Sequence, residues 1–151
     1  MNLKTIIISI IFLSTISLSE VYDGYTLYTP GGGGGNATTY LKDSDWNTIN
    51  TWSHDCGAAS MPYLVTSEEP GLENSLLYYP CQNNNPIMES GGVGGQVKIY
   101  NWDGDLLWSY TISGTISGAT SSNGMQHHHD IEPLPNGNIL VIAWERLYSS
   151  E

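Results

Sequence analysis

Short runs of β-favouring residues alternate with turn-forming clusters along most of this chain, and no window of about 11 residues carries the period of an amphipathic helix. The clearest unit is Gln96-Val97-Lys98-Ile99-Tyr100, then Asn101-Trp102-Asp103-Gly104, then Asp105-Leu106-Leu107-Trp108-Ser109-Tyr110. Asp-Gly between two such runs predicts a tight type I′ hairpin, whose two central residues both need positive φ. Pro135-Asn136-Gly137-Asn138 leads likewise into Ile139-Leu140-Val141-Ile142-Ala143-Trp144, a run apolar throughout and therefore expected to be buried on both faces. A weaker third unit joins Thr39-Tyr40-Leu41-Lys42 to residues 46–52 through the polar turn Asp43-Ser44-Asp45. Each unit closes on a tryptophan, Trp52, Trp108 or Trp144, and the last two are expected to be largely buried.

A recurring hairpin with a terminal aromatic suggests repeated blades. The expected fold is all-β: a partial β-propeller made of antiparallel hairpins, with its ring incomplete. Blades are four-stranded and about 40 to 50 residues long, and about four to eight close a ring, so this length holds about three at most. Trp144-Glu145-Arg146 leaves an apolar strand without a capping pattern, and Glu151 follows closely, which reads as a truncated chain. Between the hairpins, the glycine run 31–35, Glu68-Glu69-Pro70-Gly71 and Asn83-Asn84-Asn85-Pro86 read as loops.

The N-terminal pattern sets the compartment. Lys4 precedes the apolar run 6–13, and Ser17-Leu18-Ser19 supplies the small-x-small signal of a cleavage site, so residues 1–19 are expected to be a signal peptide and 20–151 the exported part. The apolar run falls short of the roughly 20 residues that a membrane-spanning helix needs, so no membrane association is expected after cleavage. A secreted, periplasmic or cell-envelope location follows. Fifteen acidic residues against four basic ones argue against nucleic acid and anionic membranes as partners, because both are bound through Lys and Arg clusters. Five Trp and ten Tyr within periodic runs argue against disorder. In an oxidising compartment Cys56 and Cys81 are expected to form a disulfide, the alternative being two buried thiols. Asn36-Ala37-Thr38 is a glycosylation sequon.

His127-His128-His129-Asp130 is the one dense cluster of candidate catalytic groups. On an extended backbone His127 and His129 would share one face and His128 with Asp130 the other. Asp130 could then orient a neighbouring imidazole and fix its tautomer. A metal would also suit His127 and His129, but a site needs a third ligand, for which His54 or Asp55 is a candidate; no metal or cofactor is assigned. The run 91–95 lacks the lysine of a phosphate loop and the third glycine of a dinucleotide fingerprint, so it reads as close backbone packing at a turn. Asp43-Ser44-Asp45 opens like a calcium loop, but Thr48 and His54 stand where glycine and glutamate are required, and a hairpin turn is the better reading.

In order, the segment Ser60-Met61-Pro62-Tyr63-Leu64, the glycine-rich run, the Asp-Gly hairpin, His128-His129-Asp130, Leu134-Pro135-Asn136-Gly137-Asn138 and Trp144-Glu145 resemble the N-terminal part of the bacterial-type arylsulfotransferase family. The resemblance spans about residues 24–146. It implies a six-bladed propeller that moves a sulfuryl group from a phenolic sulfate ester to another phenol through a transiently sulfated histidine, with aryl sulfates and phenols as its small-molecule partners. By position, His129 and His128 with Asp130 match the family's catalytic segment, and further His and Arg groups would come from blades this chain does not contain. A non-catalytic extracellular propeller-type binding or structural module is the alternative.

Overall fold

The computed structural model describes residues 23–31, 35–87, 91–114 and 124–146. The expected signal peptide at 1–19 and the chain end at Glu151 lie outside the described residues. Among the described residues no helix is long and apolar enough to cross a membrane. The architecture is all-β, as the alternation of strand runs and turns requires.

Among the described residues, ten strands form three antiparallel sheets, none of them closed. The first sheet holds β1 (Thr26–Tyr28), β2 (Ala37–Lys42) and β3 (Thr48–His54) in that order. The second runs β4 (Tyr63–Val65), β5 (Leu76–Gln82), β6 (Gly95–Tyr100) and β7 (Leu106–Thr111). The third places β9 (Met125–Pro133) between β8 (Ser113–Gly114) and β10 (Ile139–Glu145). A 3₁₀ turn, Leu72–Asn74, leads into β5.

All three sequence-predicted hairpins form, and they share one loop. In the β2–β3 connection the Trp46 N–H donates to Asp43 O at 3.1 Å, and Asp43 N–H donates to Asn47 O at 3.1 Å. The β6–β7 loop repeats this with Gly104 to Asn101 at 3.2 Å and Asn101 to Asp105 at 3.0 Å. The β9–β10 loop repeats it again with Gly137 to Leu134 at 3.0 Å and Leu134 to Asn138 at 2.8 Å. Each loop places one residue in the left-handed region: Trp46 at φ 67, Gly104 at φ 89 and Gly137 at φ 81. Asp103 and Asn136 are not left-handed, so these are three-residue loops with an ordinary turn followed by one left-handed residue, and not the type I′ turns expected. Pro135, with φ fixed near −65°, suits the first central position of the ordinary turn that forms here.

Two apolar clusters tie the sheets together. Leu41 and Trp52 of the first sheet pack with Leu77, Tyr79, Cys81 and Tyr100 of the second. Trp52 is fully buried and its indole N–H donates to Asn101 O at 2.8 Å. Its edge meets Trp102 at 5.6 Å. Such a side chain contributes about 3 to 5 kcal/mol when judged by truncation. Cys56 and Cys81 lie at disulfide distance beside this cluster, with Cα atoms 5.9 Å apart. On the other side of the second sheet, Tyr78 and Val97 pack with Ile112 and with Ile131 of the third. Ile112 fastens the two sheets: its N–H donates to Gly95 O at 2.7 Å, and its carbonyl accepts from His127 N–H at 2.8 Å. The chain thus passes from one sheet to the other without breaking its backbone pairing, the device by which strands make corners between sheets.

The outer strands depart from expectation. Trp108 is 43% exposed and Trp144 49%, where both were expected to be largely buried. β10 was expected to be covered on both faces, yet Leu140, Val141, Ile142 and Trp144 are all exposed. The cause is position: β7 and β10 each pair on one side only, and no described element covers the outer side of β10. Apolar content alone did not reveal which strands stand at the edge.

Candidate functional site

The histidine cluster lies on β9, and the strand does not alternate there. Opposite β10, Ile131 pairs with Val141 and His127 with Ala143, so that His128, His129 and Asp130 together face the single residue Ile142. The extra residues form a bulge, and His129 is its left-handed member at φ 57. For a non-glycine residue that conformation costs about 1 to 2 kcal/mol. His127 and His129 therefore do not share a face as expected: His127 is fully buried, His128 half-buried and His129 exposed.

The glycine run makes this arrangement possible. Gly94 N–H donates to His127 O at 3.0 Å, and His129 N–H donates to Gly92 O at 3.2 Å, so the run pairs alongside β9. A Cβ on Gly92 would collide with the His128 and His129 rings, and one on Gly94 with the His127 ring. Close backbone packing was the reading of this run, and its partner is the histidine segment itself.

His127 has no free nitrogen. Gly95 N–H donates to its Nδ1 at 3.2 Å, which leaves the proton on Nε2, and Nε2 donates to Asp130 O at 3.1 Å. Burial holds its pKa below the ordinary imidazole value, only partly offset by the Asp130 carbonyl. His127 is thus a positioning residue that fixes the neck of the bulge. His128 packs edge-on against Trp144, ring centroids 5.0 Å apart, and against His129 at 4.4 Å. His129 carries no described side-chain partner apart from that ring contact.

Asp130 does not orient an imidazole through its carboxylate. Its oxygens instead accept from the Tyr63 hydroxyl, at 3.1 and 3.2 Å. Burial, and then that carboxylate, raise the Tyr63 pKa, which keeps the phenol protonated and donating. Tyr63 is separated from Asp130 by 67 residues, and nothing in the local sequence marked it as a site residue. Its partner is set by the packing of β4 near the bulge.

The other sequence candidates lie apart. His54 is buried in the first cluster, stacked on Tyr79 with centroids 3.6 Å apart, and its Nε2 pairs with Thr39 Oγ1 at 2.8 Å. Asp55 pairs with Lys98. Neither approaches the β9 histidines as a third metal ligand, and among the described residues no group of three or more His, Cys, Asp or Glu is placed to hold a metal. Arg146 donates to Ile87 O, and Lys42 to Thr48 Oγ1 at 2.6 Å. Among the described residues, then, no Lys or Arg is bonded to the cluster. In comparisons with known proteins, no family model, no curated protein and no solved structure matched the chain.

Proposed function

We propose that the chain supplies the nucleophilic histidine of a secreted, arylsulfotransferase-like β-propeller, and that His129 is that histidine. The observation that carries the reading is that His129 alone of the three is exposed, held in a strained left-handed conformation at a bulge whose neck is locked by His127. Strain of this kind persists where the surroundings over-determine it, and bulges re-aim side chains beside reactive centres. In the reaction, an unprotonated His129 nitrogen attacks the sulfur of an aryl sulfate. The N–S bond forms as the ester O–S bond breaks, and the phenolate leaves with the electron pair. A second phenol then takes the sulfuryl group and regenerates the imidazole. Because charge on the equatorial oxygens needs cationic donors, the 151-residue chain alone is expected to be inactive.

The test is covalent trapping. The protein purified from its source is incubated with ³⁵S-labelled 4-nitrophenyl sulfate, and labelled peptides are mapped. Label on the peptide carrying His129, lost in His129→Ala, is the expected result; label on His128, or none, overturns it. The exposed β7 and β10 faces favour a second reading, a non-catalytic binding or structural module. Absence of label with retained binding of a surface partner would support that reading.

A further inference from the structure

Two clefts join between the first sheet and the chain that leads into the second. One, of about 390 Å³, has Leu27, Tyr28, Thr29 and Gly31 on one wall and residues 58–62 on the other. The next, of about 410 Å³, sets Tyr25 and Leu27 against residues 60–64 and reaches Asp130. Leu27, Ser60, Met61 and Pro62 line both, so the two make one trough along β1. Side chains alternate across a strand, so a wall built from consecutive residues is a backbone edge and not a face. β1 stands at the edge of its sheet, paired with β2 alone. On the opposite wall Ala59 N–H donates to Pro80 O at 3.0 Å, whereas Ser60 and Met61 make no backbone bond among the described residues. Both walls thus leave peptide groups available to an intervening strand.

The two ends of the trough differ in chemistry. His54 is buried with no partner for Nδ1, and a bare acceptor is tolerated in such a place more readily than an orphaned N–H, which puts the proton on Nε2. Nε2 then donates to Thr39 Oγ1 at 2.8 Å, and the fully buried Thr39 hydroxyl donates onward to Thr29 Oγ1 at 2.7 Å. The Thr29 hydrogen is left for the trough, at the end of a chain whose members polarise one another. It calls for an acceptor such as a peptide carbonyl. The far end holds the Asp130 carboxylate, which takes a donor from Tyr63 and has acceptor positions to spare. In a protein of net charge −11, that end calls for a cation.

We infer that the trough binds an extended polypeptide segment as an added strand antiparallel to β1, a carbonyl of the segment accepting from Thr29 and a Lys or Arg near its C-terminal end meeting Asp130. From Tyr25 to Gly31 the wall spans about 20 Å, the length of about six extended residues. Main-chain pairing supplies the affinity, and the two end groups set the direction and exclude acidic segments. The site is independent of sulfuryl transfer, since His129 lines neither cleft.

The probe is the peptide acetyl-Thr-Val-Thr-Val-Thr-Arg-amide, titrated calorimetrically into the full chain. A Kd of about 100 µM is expected, and one about tenfold weaker with Glu in place of Arg. Asp130→Asn should remove the difference between the Arg and Glu peptides, as a double-mutant cycle reads it. Thr29→Val should weaken binding about fivefold, and Thr39→Val as much although Thr39 never touches the peptide, both in variants whose circular dichroism matches the parent. Of two peptides N-methylated on alternate amides, at least one should lose binding, because a methyl stands where a ladder hydrogen belongs. No binding at millimolar concentration, equal binding of the Arg and Glu peptides, undiminished binding by Thr29→Val, or tolerance of both N-methylated peptides overturns the inference. Labelling of His129, or its absence, bears on none of these results, so the failure of one reading is distinct from the failure of the other.

Discussion

His127 and Gly95 are joined through the imidazole: the Gly95 N–H donates to Nδ1 at 3.2 Å, in a site where the histidine has no exposed surface. That bond fixes the tautomer and leaves Nε2 to hold the carbonyl of Asp130 across the bulge. His127→Ala would leave a buried donor unpaired and a cavity where the ring stood. Its expected cost is about 3 kcal/mol, read as a shift in the urea midpoint. His129→Gly should behave in the opposite way. The left-handed φ suits glycine, so stability is expected to stay within about 0.5 kcal/mol of the parent while covalent labelling disappears. Equal destabilisation by the two variants would show that His129 is a packing residue.

Gly92 and Gly94 face the histidine rings with no room for a side chain, whereas Gly91 opens to free space and has no left-handed backbone. Gly92→Ala and Gly94→Ala are each expected to destabilise by about 2 kcal/mol, through overpacking and, at Gly92, backbone strain as well. Gly91→Ala should be nearly silent in the same denaturant titration. A silent Gly94→Ala would mean that the run does not pack on β9.

Acid should weaken the fold through its buried imidazoles. The His54 pKa is pushed down from 6.5 to about 4, first by burial and then by the nearby Lys98. The unfolded chain therefore binds more protons than the folded one between those two values. Stability from this source is complete above about pH 6.5, declines as the pH falls towards about 4, and changes little below that. His127 moves in the same direction. Thermal melts at stepped pH should show the decline, and His54→Gln should flatten it. A midpoint independent of pH across that window would contradict the buried, neutral His54.

Cys56 and Cys81 close a loop with a sequence separation of 25. Constraint of the unfolded chain by a bridge there is worth about 3.5 kcal/mol in the chain-entropy model. Replacing both by Ser should lower the urea midpoint accordingly. Intact mass of freshly purified protein, alkylated without reduction, is expected to show no added label. Two labelled thiols would remove the bridge.

The hairpins were legible because β-favouring runs, Asp-Gly and Asn-Gly act within a few residues. Loop geometry was less so: Trp46 occupies the left-handed place that Gly104 and Gly137 hold, and no rule of composition assigns a tryptophan there. Exposure of Trp108 and Trp144 depended on which strand has a neighbour, a property of the whole sheet. The histidines were found by their density, but four consecutive polar residues carry no apolar period to mark a bulge. Strict alternation was therefore the default, and it paired the wrong imidazoles. Tyr63 was invisible as a partner for Asp130, because only the tertiary fold brings β4 to β9.

Ile112 uses both of its backbone groups as a hinge pin between two sheets, donating to Gly95 and accepting from His127. Neither sheet can fray at this corner without breaking a bond that also belongs to the other. The amides of Ile112 and His127 should consequently exchange with solvent in a single cooperative opening, slower than those of the exposed strands β7 and β10. The histidine bulge thus has one of its flanks, His127, anchored by a backbone bond to a residue outside its own strand, and loosening that corner would release the bulge before it melted the fold.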